Sequence, residues 1–232
     1  MERFRIYAKL PVFRRRVEKS LSILRAFIEK SENPYVAWST GKDSTACVGL
    51  ARAIKNIVAV NLDNGVELPD NAKVLKQVDN VLVYHAEHLF LDLMDQYGFE
   101  SPKLRKSNFV KEFEQKYNFD GVIVGLRRDE SAVRKRYLKG SIYQRKDGFW
   151  VCLPIIDWSI NDVFAYLITN DLPIHEMYTK KSHMPLERRR VGGFVSSRNR
   201  GAEFGRFVWL REQYPEVWKD LSARYPEIKK YV

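Results

Sequence analysis

Cysteine is nearly absent: the 232-residue chain carries two, Cys47 and Cys152. They lie far apart and make no CxxC or Cys/His ligand spacing, which excludes a disulfide-stapled fold and a zinc-ribbon type of domain. Each sits in an apolar stretch, where a buried free thiol is the expectation. The four histidines, His85, His88, His175 and His183, show no metal-ligand spacing either. No apolar run is long enough to span a bilayer. Residues 1–16, although basic, lack the apolar stretch of a secretory signal. Repeats and low-complexity segments are missing too. These absences point to a cytoplasmic protein without membrane contact.

What the chain does have is core-forming material and an excess of positive charge. Hydrophobic residues make up 45% and charged residues 30%, the balance of a globular domain. Formal net charge is +11, unevenly placed. Lys180, Lys181, Arg188, Arg189, Arg190, Arg198, Arg200, Arg206 and Arg211 crowd one tract against Glu187 and Glu203, and a second basic stretch covers residues 127–146. Such clusters attract polyanions: nucleotide phosphates, pyrophosphate or a nucleic-acid backbone.

Val17, Leu21, Leu24 and Ile28 stand at helical spacing and predict an amphipathic helix over 17–30, broken by Asn33-Pro34. Short apolar strands are expected at 35–39, 57–62, 81–85 and 122–126. Helices are expected at 44–55, 69–78, 88–97 and around Val110, Phe113 and Tyr117, with a basic loop at 101–106. Asp147-Gly148 marks the turn of a hairpin within 141–154. Ser159 and Asp162 form a capping-box signature that opens a helix over 162–169. The tail, 203–225, reads as two short helices split at Pro215. Strands alternating with helices give an α/β fold, a mainly parallel sheet covered on both faces. The expected organisation is a nucleotide-binding domain over 1–180 and a basic helical C-terminal extension over 181–232.

The first strand runs into Ser39-Thr40-Gly41-Lys42-Asp43-Ser44 and then a helix. A strand, a glycine turn and a helix N-terminus aim several backbone N–H groups at one point, a geometry that binds anions. Gly41 is expected where a Cβ would clash. Ser39, Thr40 and Ser44 add hydroxyls, and Lys42 adds charge. Asp43 beside phosphates calls for an intervening cation, most simply Mg2+. The loop is not a Walker A motif, because position 36 is Val and Lys42 is followed by Asp43.

The hexapeptide STGKDS resembles the SGGKDS pyrophosphate loop of the adenine nucleotide α-hydrolase superfamily, with Thr40 in place of a glycine. Three further segments resemble that family in order: Asp63-Asn64-Gly65-Val66-Glu67-Leu68-Pro69, Gly125-Leu126-Arg127-Arg128-Asp129-Glu130-Ser131 with Arg134, and Leu153-Pro154-Ile155-Ile156-Asp157-Trp158 with Asp162-Val163 and Leu172-Pro173. Together they cover roughly residues 20–180 and match best the sulfonucleotide (PAPS) reductases and the small subunit of ATP sulfurylase.

The resemblance implies an adenine nucleotide at the carboxyl edge of the sheet, with ATP, APS or PAPS as candidates and Mg2+ at Asp43. Lys42, Asp43, Arg127 and Arg134 become the expected catalytic groups. Ser39, Thr40, Gly41, Ser44, Asp63, Gly65, Gly125 and Arg128 are the expected binding positions. Glu130 reads as an orienting partner for an arginine, and Trp150, Trp158, Tyr143 and Tyr166 as packing residues. The reductases of this family use a C-terminal cysteine thiolate; no cysteine follows Cys152 here, and Gly192-Gly193-Phe194 stands where relatives have Gly-Cys. Cleavage of ATP between its α and β phosphates is therefore the leading expectation, ahead of sulfonucleotide chemistry and of a non-catalytic binding module. The basic tract from Arg188 to Arg211 reads as a lid over the anionic end of the nucleotide, or as a surface for a nucleic acid or partner protein. A homo-oligomer is compatible with all of these.

Overall fold

The computed structural model describes residues 1–63, 65, 67–85, 90–97, 107–191 and 205–232. Two helices come first, α1 (Glu2–Tyr7) and α2 (Pro11–Ile28). Then follow β1 (Pro34–Ala37), α3 (Lys42–Arg52), β2 (Ala59–Asp63), α4 (Asn71–Leu75), β3 (Val81–His85), α5 (Phe90–Tyr97), α6 (Ser107–Lys116) and β4 (Gly121–Ile123). The second half holds α7 (Ala132–Tyr137), β5 (Ile142–Gln144), β6 (Trp150–Cys152), α8 (Ile160–Thr169), α9 (Arg206–Gln213) and α10 (Pro215–Arg224).

The sheet order is β3-β2-β1-β4-β6-β5. Every pair is parallel except β5–β6, the hairpin whose turn holds Gly148 at φ 84°. The chain leaves β1 towards β2 on one side, while β4 joins β1 on the other. The crevice between the carboxyl ends of β1 and β4 is thus the switch point where open α/β sheets take ligands.

Apolar side chains explain this layering. In α3, Ala46, Cys47, Leu50 and Ala51 are fully buried, and α8 beside it buries Val163, Phe164, Ala165 and Leu167. Each large side chain removed from water contributes roughly 1.5–3 kcal/mol. The capping box at Ser159 forms: its Oγ accepts the Asp162 N–H, and Asp162 Oδ2 accepts the Ser159 N–H. The sequence gives no sign of α1, because its apolar residues alternate with arginines; it forms where Phe4 stacks on Phe164 at 5.0 Å and Tyr7 Oη donates to Asp162 Oδ1. Pro215 opens α10, as expected for the tail. Phe207, Trp209, Leu210, Tyr214, Leu221, Tyr225 and Ile228 of the tail share the main core with α3 and α8. No helix among the described residues is long and apolar enough to cross a membrane.

Candidate functional site

The loop after β1 turns through Thr40, not Gly41. Thr40 holds a left-handed φ of 60°, while Gly41 is extended at φ −74° and serves as the N-cap of α3. A branched residue in the left-handed region is strained. Thr40 is held there because its Oγ1 donates to Asn71 Oδ1 (2.8 Å), and Asn71 Nδ2 donates to Glu67 (2.7 Å). The expectation for Gly41 is corrected accordingly: it gives space rather than backbone freedom, since a Cβ there would stand 3.2 Å from Val191 Cγ2. Ser39 and Ser44 bring their hydroxyls within 3.2 Å of each other, and Ser44 Oγ donates to Gly41 O.

Lys42 and Asp43 begin α3 and are both buried. Lys42 Nζ donates to Asp43 Oδ2 at 2.6 Å, and Arg127 Nε donates to Asp43 Oδ1, also at 2.6 Å. These two side chains are the cations that neutralise Asp43 in the structure, and they occupy both carboxylate oxygens. No group of three or more His, Cys, Asp or Glu side chains converges as a metal cage among the described residues. Burial lowers the Lys42 pKa to about 8 despite Asp43, and Arg190 and Arg127 push the same way. Asp43 is held below the usual carboxylate range by Lys42 and Arg127, which outweigh the effect of its burial.

Arg127 is fully buried, one strand away. Its Nη1 donates to Trp158 O (3.2 Å), while Nη2 is buried without a partner among the described residues. A guanidinium N–H of that kind is an open donor for an anion. Gly125 brings the β4 loop against the first turn of α3. Glu130, after a short 3-10 turn, accepts the Arg127 N–H and binds Arg134 through Oε2, while its Oε1 takes Arg190 Nη2 at 2.7 Å. Glu130 is an orienting residue, as its neighbours imply. Arg134 has its pKa lowered by burial and then by Arg190 and Arg127, with Asp43 opposing. Lys42, Arg127, Arg134 and Arg190 thus gather around Asp43 and Glu130, leaving positive charge in surplus.

Not every expected residue joins this cluster. Arg128 turns away: Nε donates to Leu138 O (2.7 Å), Nη2 to Lys139 O (3.1 Å) and Nη1 pairs with Asp157. Asp63, at the end of β2, accepts the Gly65 N–H at 2.9 Å and faces His85 Nδ1 at 3.0 Å; Gly65 has φ 77°. Residues 64 and 66 of the same motif lie outside the described residues, as do 88, 101–106, 192–194, 198, 200, 201 and 203.

Two contributors have no signature in the sequence. Tyr178 Oη accepts the Lys42 N–H (3.2 Å), and the Lys42 ammonium lies 5.6 Å from the Tyr178 ring centre. Arg190 reaches Glu130 across sixty residues of chain; only its place in the Arg188-Arg189-Arg190 triplet hinted at it. Its neighbour Arg189 is buried instead and donates to the carbonyls of Met177, Tyr178, Lys180 and Met184. Both cysteines are buried, and burial pushes both thiols well up. Trp158 and Tyr166 are core as expected, whereas Tyr143 is 46% exposed, contrary to the packing role expected of it.

The phosphoadenosine phosphosulfate reductase domain matches residues 33–199. An uncharacterised protein of Methanocaldococcus jannaschii is 30% identical over 230 residues, 90% of this chain but 53% of its own length. A second one from that organism shows 26% identity over 86% of this chain and 43% of its own length. The chain therefore spans about half the length of these relatives. Sulfate adenylyltransferase subunit 2 of Buchnera aphidicola is 23% identical over 75% of this chain and 69% of its own. Among solved structures, the PAPS reductase of Candida auris superposes with a TM-score of 0.57 (16% identity, 71% of this chain, 86% of that one). The FMN adenylyltransferase of Candida glabrata with ATP also gives 0.57 (14% identity, 75% and 64%). With the family match spanning most of the chain, this protein belongs to the phosphoadenosine phosphosulfate reductase domain family.

Proposed function

We propose that this domain binds an adenine nucleotide in the β1–β4 crevice and cleaves ATP between the α and β phosphates, adenylating an acceptor. The carrying observation is the surplus of positive charge around Asp43 and Glu130, with Arg127 Nη2 buried and without a partner among the described residues. An acceptor nucleophile would attack the α phosphorus, the bond to the bridging oxygen would break, and pyrophosphate would leave with the electron pair. Such transfers need positioning and charge neutralisation more than a protein nucleophile. Lys42, the N–H groups at the start of α3, Arg127 and Arg134 supply these at the pyrophosphate end, while Asp63 and Gly65 stand on the nucleoside side. Asp43 would hold Mg2+ only in place of its bond to Lys42, and the ion would there neutralise phosphate charge.

The two buried thiols support this reading over thiolate attack on a sulfonucleotide, because the thiolate is the reactive form. The Buchnera relative is a sulfate adenylyltransferase subunit, which points the same way. Calorimetric titration with ATP, APS and PAPS in the presence of Mg2+, followed by chromatography of the products, tests it. AMP or an adenylate together with pyrophosphate is the expected outcome. ADP and orthophosphate as main products, or APS or PAPS bound at least tenfold more tightly than ATP, would move the domain to a different reaction.

A further inference from the structure

The second basic stretch has a property that the nucleotide site does not use. From Ser131 to Lys146 there is no acidic residue. Arg134 points into the site and Arg145 is committed to Glu114 and Asp147. The others, Lys135, Arg136, Lys139 and Lys146, are exposed and form no side-chain ion pair among the described residues. Tyr137 and Tyr143 stand among them, 71% and 46% exposed, and Val133 is 63% exposed. Neither tyrosine takes part in a ring contact or side-chain hydrogen bond among the described residues. Two exposed tyrosine rings in a run of basic residues offer apolar faces that a ligand can cover.

The surface is also firmly built. Arg128 ties the carbonyls of Leu138 and Lys139 to Asp157, so the link between α7 and the edge strand β5 is pinned to the body of the domain. Tyr143 lies six positions after Tyr137, so their Cα atoms are at most ~20 Å apart, a span of a few nucleotides. Flat rings offer stacking faces to unpaired bases, and the interleaved ammonium and guanidinium groups suit the phosphates between them. A duplex keeps its bases stacked on each other and leaves the rings unused.

We propose that the α7–β5 surface binds single-stranded nucleic acid, with Tyr137 and Tyr143 as base platforms and Lys135, Arg136, Lys139 and Lys146 as phosphate contacts. The proposal uses no residue of the tract at Arg188–Arg211; of its described residues, Arg189 is buried and Arg190 is held by Glu130. The proposal stands whether or not the crevice cleaves ATP.

Fluorescence anisotropy of the full chain with a labelled twelve-nucleotide oligouridylate, and with a duplex of equal length, decides it. Expected are binding that weakens steeply as salt rises, preference for the single strand, and a loss of about tenfold for Tyr137→Ala or Tyr143→Ala. Tyr137→Phe, which keeps the ring, should retain affinity, and ATP affinity should be unchanged in all three variants. Far-UV circular dichroism confirms their folding. Absence of binding at low salt overturns the proposal. So does equal preference for duplex, or affinity indifferent to both tyrosines, which would mark a purely electrostatic contact. Binding to phosphatidylserine vesicles that is stronger than to the oligonucleotide, and lost in the same variants, would assign the surface to a membrane instead.

Discussion

Gly125 lies against the backbone of Asp43: a Cβ there would stand 2.7 Å from the Asp43 carbonyl carbon and 2.8 Å from both its oxygen and the Ser44 nitrogen. All three atoms belong to the first turn of α3, so neither partner can yield cheaply. Gly125→Ala should push the β4 loop off the phosphate loop, costing about 1–3 kcal/mol of stability. Arg127 moves with that loop, so nucleotide affinity should drop at least tenfold. Denaturant unfolding and calorimetry measure the two effects. A folded Gly125→Ala protein with unaltered affinity would place the nucleotide elsewhere.

Lys42→Ala should weaken nucleotide binding by an order of magnitude or more and leave the fold intact, since a charge-assisted contact is worth roughly 1.5–3 kcal/mol. The ammonium also predicts a pH profile. Burial holds Lys42 at about 8, below its ordinary 10.5. Between those values the unfolded chain binds the extra proton, so this residue makes stability rise with pH there. Anion affinity should do the reverse: flat below pH 8, then falling by up to tenfold per unit as the charge is lost. A profile equally steep in Lys42→Met would assign the titration to another group.

Arg128→Gln separates a tertiary clamp from a ligand contact. Its bonds to Leu138 O, Lys139 O and Asp157 predict a stability loss of about 2 kcal/mol. Nucleotide affinity should change much less than in Arg127→Gln or Arg134→Gln. Equal loss of affinity in all three would return Arg128 to the site.

At Thr40 two effects oppose each other. Glycine would relieve a left-handed backbone, worth roughly 1–2 kcal/mol, and would forfeit the Oγ1 bond to Asn71, worth about 1 kcal/mol. Thr40→Gly should therefore leave the melting temperature within a few degrees, whereas Thr40→Val keeps the strain, loses the bond and should melt clearly lower. Equal melting of the two variants would mean that the left-handed backbone at Thr40 carries no strain.

Neither thiol should matter for chemistry. Cys47 and Cys152 are fully buried, so they should resist alkylation until the protein unfolds. The double alanine variant should keep turnover while losing some packing energy. A folded double variant devoid of activity would revive a thiolate mechanism.

Local chemistry wrote much of this fold legibly. The hairpin at Asp147-Gly148, the capping box at Ser159 and the tail break at Pro215 depend on residues within a few positions of one another, and all three form. The motif segments at Lys42-Asp43 and Arg127 also meet in the structure. What stayed hidden depends on distant partners. That Arg127 and Lys42 neutralise Asp43, that Arg190 returns to Glu130, and that Tyr178 meets the start of α3 are facts of tertiary proximity, with no period or spacing to betray them. Arg128 and Arg127 are adjacent in sequence yet diverge, because a 3-10 turn begins between them.

Glu130 carries one consequence beyond orientation. Its single carboxylate already serves Arg134, Arg190 and the Arg127 amide, so an incoming ligand must outbid an anion that is tethered in place at high local concentration. Ligands bearing little charge lose that contest, and polyphosphates win it. Under the proposed function, this competition would make admission depend on valence before shape, favouring ATP over adenosine and AMP.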